Sequence, residues 1–183
     1  MSQFFPFIFV LLWSSAFITT LPIVLNSDPF SALAFRFFFV AVSFFIYSTI
    51  KNIKIKVNFR NIFNSFSTGI LFHGFYLGGV FYAIFVGLPT SIVALIVTLQ
   101  PVLTNILAGY FLNEEVNVYQ WIGIILGFAG AVMVIGFDIG SMLPMKGLIA
   151  AVIALIAITT STIWQKKISN DIPLPVNNMY QAI

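Results

Sequence analysis

PFSALAFRFFFVAVSFFIYSTI, residues 29–50, followed at once by KNIKIKVNFR, residues 51–60, is the stretch whose reading decides the fold. Twenty-two residues carrying one charge, at about 1.5 Å of rise each, cover a bilayer core of about 30 Å as a single helix. Pro29 suits the first turn of that helix, where its missing N–H would have had no partner. The segment behind it holds Lys51, Lys54, Lys56 and Arg60, the densest positive cluster in the chain. A basic loop abutting an apolar span marks the cytoplasmic side, so this helix runs from outside to inside.

The same pattern extends in both directions. Apolar runs of membrane length are expected at about residues 4–25, 29–50, 62–86, 90–112, 119–137 and 146–164, with almost every charge in the gaps between them. Gly87, Leu88 and Pro89 leave so short a gap that the third and fourth spans must be antiparallel. Alternation from the basic segment puts the N-terminus, the turn at 113–117 and the Gln165-Lys166-Lys167 end of the sixth span inside. The loop at 138–145 then lies outside, with Lys146. The fold class expected is therefore all-α, a polytopic transmembrane bundle of six spans in the cell membrane.

Composition agrees. The chain of 183 residues is 60% hydrophobic and 7% charged, with 22 phenylalanines, no cysteine and a mean hydropathy of +1.06, whereas soluble domains carry about 25% charged residues. The lipid bilayer is the expected partner and nucleic acid is not. Without cysteine there is no disulfide framework and no thiolate metal site; no cofactor or metal is expected. The start, Met1-Ser2-Gln3, lacks a basic region and no small-residue cleavage pattern follows, so the first run is taken as a span and not as a cleaved signal. After Pro173 and Pro175, VNNMYQAI resembles the opening of another element and reads as a cut; the alternative is a short amphipathic tail.

Polar residues inside the spans are the candidates for function. Arg36 is the one charge well inside a span, and an arginine at such depth costs about 2.5 to 3.5 kcal/mol on insertion scales unless it faces protein or water. Ser43 and Tyr47 fall on its helical face, a stripe expected to point into the bundle. Its planar guanidinium suits a carboxylate or phosphate on a substrate; the competing reading is an anchor near the outer interface. His73 is read either as a neutral, hydrogen-bonded core residue or as a proton-sensitive gate, since an imidazole titrates near about pH 6.5. Tyr76 shares its face. In the fourth span Ser91, Ala94, Thr98, Pro101 and Asn105 form one small and polar face. Pro101 cannot donate to the Val97 carbonyl and should kink the helix near mid-membrane, at a break of the kind that transporters use for binding or as a structural kink only. Gln100 could hold a substrate or another helix. Trp13, with Ser14, Ser15 and Thr19, could line a cavity. Gly74 with Gly78, and Gly123, Gly127 and Gly130, are expected to let helices pack closely. No acidic residue stands mid-span, and the sequence patterns of hydrolases and phosphoryl-transfer enzymes are absent, so the chain is not read as an enzyme.

The stretch LPTSIVALIVTLQPVLTNILAGYFLNEEVNVYQWIGIILGFAGAVMVI resembles the third-to-fifth-helix signature of EamA-type transporters in the drug/metabolite transporter superfamily. The elements shared are Pro101 in mid-helix, Glu114 or Glu115 after the fourth span, Gln120 opening the fifth, and Gly123, Gly127 and Gly130. WSSAF in the first span and Arg36 in FRFFF resemble the family's first two helices. The resemblance implies half of a ten-helix transporter made of two inverted five-helix repeats around a central cavity. Residues 4–137 would be the first repeat and 146–183 the start of the second, with a missing second half or a second copy as partner. It further implies transport of small metabolites across the inner membrane, of widely differing kinds; the reading taken here is a secondary transporter of a small polar metabolite, such as an amino acid, with Trp13, Arg36, His73, Tyr76, Gln100 and Asn105 as candidate residues of the cavity wall. The alternative is a non-transporting membrane scaffold or inactive truncated form. The small multidrug-resistance relatives keep a glutamate in the first helix; this chain has none, which disfavours cation antiport by that route.

Overall fold

In the computed structural model the residues described are 4–112, 117–135, 143–168 and 171–183. The expected turn at 113–117 falls outside them but for Asn117, and so does the outer loop but for its last three residues. Glu114, Glu115 and Asp138 are therefore not placed. The helices are α1 (Phe5–Asn26), α2 (Pro29–Ile50), α3 (Phe59–Gly69), a π-helical segment (Ile70–Leu77), α4 (Gly78–Phe85), α5 (Thr90–Val97), α6 (Gln100–Leu112), α7 (Val118–Ile135), α8 (Met145–Ile168) and α9 (Leu174–Gln181).

Among the described residues, five helical stretches are long and apolar enough to cross a membrane: Phe7–Asn26, Pro29–Ile50, Phe59–Phe85, Thr90–Leu107 and Met145–Ile168. The remaining expected span corresponds to α7, 18 residues long, of which Val118–Gly130 forms a shorter apolar helix. Local chemistry explains the ends. Asp28 caps α2 by accepting the Ser31 N–H at 2.8 Å, and the Ser31 backbone and hydroxyl together hold the Asp28 carboxyl below its usual value. Gly87, at φ +93, makes the turn between α4 and α5 that a side chain would strain. The expected break near Pro101 is an interruption between α5 and α6: Thr98 and Leu99 leave the helix, and the Thr98 hydroxyl donates to the carbonyls of Ala94 and Leu95 at 2.9 and 2.7 Å.

The helix Phe59–Phe85 is not uniform. Its middle turns, Ile70–Leu77, are π-helical, which widens the backbone and shifts the facing of every side chain beyond it. Around it α8 forms the axle of the bundle, packed along α3, the π segment, α4, α5 and α6, with Ala151, Ala154, Ala157, Thr159 and Ser161 buried. Close approach here depends on Gly79 and Gly147. A Cβ at Gly79 would stand 2.9 Å from the Ala150 carbonyl oxygen, and one at Gly147 2.9 Å from the Leu88 Cβ. The glycines singled out from spacing behave differently: a Cβ at Gly123, Gly127 or Gly130 meets no described atom within 4 Å, one at Gly74 meets only Ile70 of its own helix at 4.0 Å, and one at Gly78 meets Phe30 at an ordinary 3.6 Å. Spacing puts glycines on one face, but only the rotation of the helix decides whether that face meets a neighbour.

The VNNMYQAI segment is helical in α9, which packs on α2 and α3. Its contact is polar as well as apolar. The Ser65 hydroxyl donates to Asn177 Oδ1 at 2.7 Å and Gln181 Nε2 donates to the Thr68 hydroxyl at 3.1 Å. Ser161 of α8 adds a bond to the Thr68 carbonyl at 3.0 Å. Two longer ties, Tyr180 hydroxyl to the Ile55 carbonyl and Asn61 to the Asp171 carbonyl, set the basic segment and the chain beyond α8 at one end of the bundle.

Candidate functional site

Three membrane-length helical stretches, Phe7–Asn26, Pro29–Ile50 and Phe59–Phe85, converge on one cleft. α1 contributes Trp13, Phe17 and Thr20; α2 contributes Arg36; the π segment and α4 contribute Phe72, Tyr76 and Phe81, around a volume of about 190 Å³. Trp13 and Tyr76 line it together. The rings are set edge to face: Trp13 to Phe17 at 5.6 Å and 89°, Phe72 to Tyr76 at 5.3 Å and 69°, the geometry that aromatic quadrupoles favour. Arg36, itself exposed, is the one cation lining the cleft. Among the described residues no carboxylate pairs with it.

The six wall residues expected from sequence thus separate. Trp13, Arg36 and Tyr76 come together. His73 faces the other side of the segment, where it lines a groove of about 500 Å³ with Ala34, Phe37, Gly69 and Gln181. Its ring centroid is 4.2 Å from that of Phe37, and its Nδ1 is buried without a described hydrogen-bond partner. Gln100 donates to the Thr162 hydroxyl of α8 at 3.3 Å, so of its two readings the structure shows the tie to another helix. Asn105 lies with Thr98, Pro101, Gln120, Gly123 and Gly127 along a groove of about 540 Å³ between α6 and α7.

Other expectations are corrected. Ser43 and Tyr47 do not form an inward stripe with Arg36; all three are exposed, and the buried polar residue of α2 is Ser48. Ser15 and Thr19 are exposed and their hydroxyls donate to carbonyls of their own helix. Sequence reasoning missed Phe17, Phe72 and Phe81, because among 22 phenylalanines nothing marks the few that face inward. It also missed the Ser65, Thr68 and Ser161 cluster, whose sign was a polar spacing on two separate helices.

The described residues form a multi-pass helical bundle with a cationic, aromatic cleft between its helices. The chain belongs to the EamA-like transporter family, which it matches over residues 2–136. A curated relative, an uncharacterized transporter named YvbV from Bacillus subtilis, is 31% identical over 97 residues, 53% of this chain and 30% of the relative. The match thus spans under a third of the relative's length. No solved structure matches the chain.

Proposed function

We propose that the protein is a secondary transporter of a small polar metabolite with an anionic group, working by alternating access in the inner membrane with its N-terminus in the cytoplasm. The observation that carries this reading is the meeting of Trp13, Arg36 and Tyr76 from three separate elements in one cleft. A guanidinium among aromatic rings inside apolar helices is costly unless something anionic or aqueous meets it, and a substrate carboxylate or phosphate satisfies its fork of donors. The interruption at Thr98 and Leu99 and the π segment supply the two irregular helices about which such a cleft could open on alternate sides. The orientation rests on Lys51, Lys54, Lys56, Arg60, Lys166 and Lys167 lying toward one end, against Lys146 at the other. Residues 4–137 serve as one five-helix repeat, and residues 146–183 open a second, related to it by inverted topology.

Flux in proteoliposomes tests the reading. Arg36→Lys keeps the charge but loses the planar fork, so transport should fall while the thermal midpoint barely moves. Equal losses of transport and stability would make Arg36 an anchor instead.

A further inference from the structure

We infer that the segment between α2 and α3 is a binding site for the headgroup of an anionic phospholipid, with Lys54 and Lys56 as its contacts and Lys51 and Arg60 beside them. It concerns the bilayer around the chain and stands apart from the transport reading.

The backbone fixes the geometry. α2 ends in a Schellman turn: Asn52 is left-handed at φ 51, its N–H donates to the Thr49 carbonyl at 3.1 Å, and the Ile53 N–H donates to the Ser48 carbonyl at 2.9 Å. Residues 53–58 then run without helix, and their exposure alternates. Ile53, Ile55 and Val57 are half-buried, whereas Lys54, Lys56 and Asn58 are exposed. A period of two belongs to an extended chain, where side chains two residues apart share a face at about 7 Å. Lys54 and Lys56 therefore stand side by side, facing outward. The segment is also tied down at its middle and far end. The Tyr180 hydroxyl of α9 donates to the Ile55 carbonyl at 3.4 Å, and the Asn61 amide donates to the Asp171 carbonyl at 3.2 Å. A loop already ordered in this way loses little freedom on binding.

Charge and surroundings name the ligand. Asp171 meets this segment through its backbone, but no described carboxylate pairs with Lys51, Lys54, Lys56 or Arg60. On either side of the cations, Ile50 is 72% exposed and Phe59 82% exposed, and these two residues end and begin membrane-length helices. Acyl chains cover such side chains, so the cations held between them stand at the level of lipid phosphates. A soluble acidic partner would meet the cations but not the two apolar side chains.

Lipid retained by the full chain in a maltoside detergent, counted by native mass spectrometry, tests this with dioleoylphosphatidylglycerol as the probe. It should bind about tenfold more tightly than dioleoylphosphatidylcholine, which has no net charge; equal binding of the two overturns the proposal. Each cation near an anionic headgroup is worth about fivefold, so Lys54→Gln with Lys56→Gln should weaken phosphatidylglycerol about thirtyfold and leave phosphatidylcholine unchanged. Lys166→Gln with Lys167→Gln removes as much charge from α8 and should weaken it far less; equal loss would make the attraction diffuse and overturn the site. Tyr180→Phe keeps every charge and frees only the middle of the segment, so phosphatidylglycerol affinity should fall, and an unchanged affinity overturns the pinned geometry. Displacement of the lipid by equimolar glycerol 3-phosphate or polyglutamate overturns the choice of lipid, in favour of a soluble phosphate or an acidic protein.

Discussion

The backbone carbonyl of Gln181 stands where a side chain on Gly69 would have to be. Through this contact α9 closes on α3 at backbone distance, and the Ser65 to Asn177 bond at 2.7 Å is its polar complement. Gly69→Ala should therefore destabilise the protein by about 1 to 3 kcal/mol, the range for forced overpacking. Gly123→Ala, with open space around it, should be neutral or slightly stabilising, because alanine is the better helix former by about 1 kcal/mol. Thermal or denaturant unfolding of the two variants in detergent checks the contrast; equal effects would mean that α9 is not seated on Gly69.

Gln100 is spent on Thr162 across the α6 and α8 interface. Polar bonds between membrane helices are worth about 0.6 kcal/mol on average and at most about 1.7. A double-mutant cycle with Gln100→Ala and Thr162→Val should return a coupling in that range, and neither change should alter the concentration dependence of transport. A selective rise in KM for Gln100→Ala would return this residue to the substrate wall.

Asp28 supplies a pH signature outside the membrane. Its folded pKa is depressed below 3.8, first by the Ser31 N–H and then by the Ser31 hydroxyl. The capping contribution is accordingly complete above the ordinary carboxylate value and is lost as pH falls through the lower folded value. Asp28→Asn retains a capping side chain, so the difference in thermal midpoint between the two proteins should be constant from about pH 7 to 5 and change only below about pH 4. A difference that changes near neutral pH would contradict this.

The chain has no cysteine, so single introduced thiols report sidedness directly. Lys54→Cys and Lys166→Cys should react with an impermeant maleimide from one side of the membrane, and Lys146→Cys from the other. Labelling of Lys54→Cys and Lys146→Cys from the same side would exclude the proposed topology.

Much of this was legible in the residues. The 22-residue run from Pro29 announced a membrane-length helix, and Pro101 announced the interruption between α5 and α6. The membrane character and the order of the spans follow from apolar length and charge placement, which are local properties; the EamA resemblance lay in particular residues such as Pro101, Gln120 and Gly123. The meeting of Trp13 with Tyr76, the facing of His73 away from both, and the use of Gly69, Gly79 and Gly147 rather than Gly123, Gly127 and Gly130 for close packing were decided by tertiary structure. The reason is physical: lipid solvates apolar side chains as well as a neighbouring helix does, so hydropathy does not set a helix's rotation. Rotation follows instead from backbone contacts at small residues, from polar bonds such as Ser65 to Asn177, and from the π turns at Ile70–Leu77. All of these are relations between segments that only the folded chain brings together.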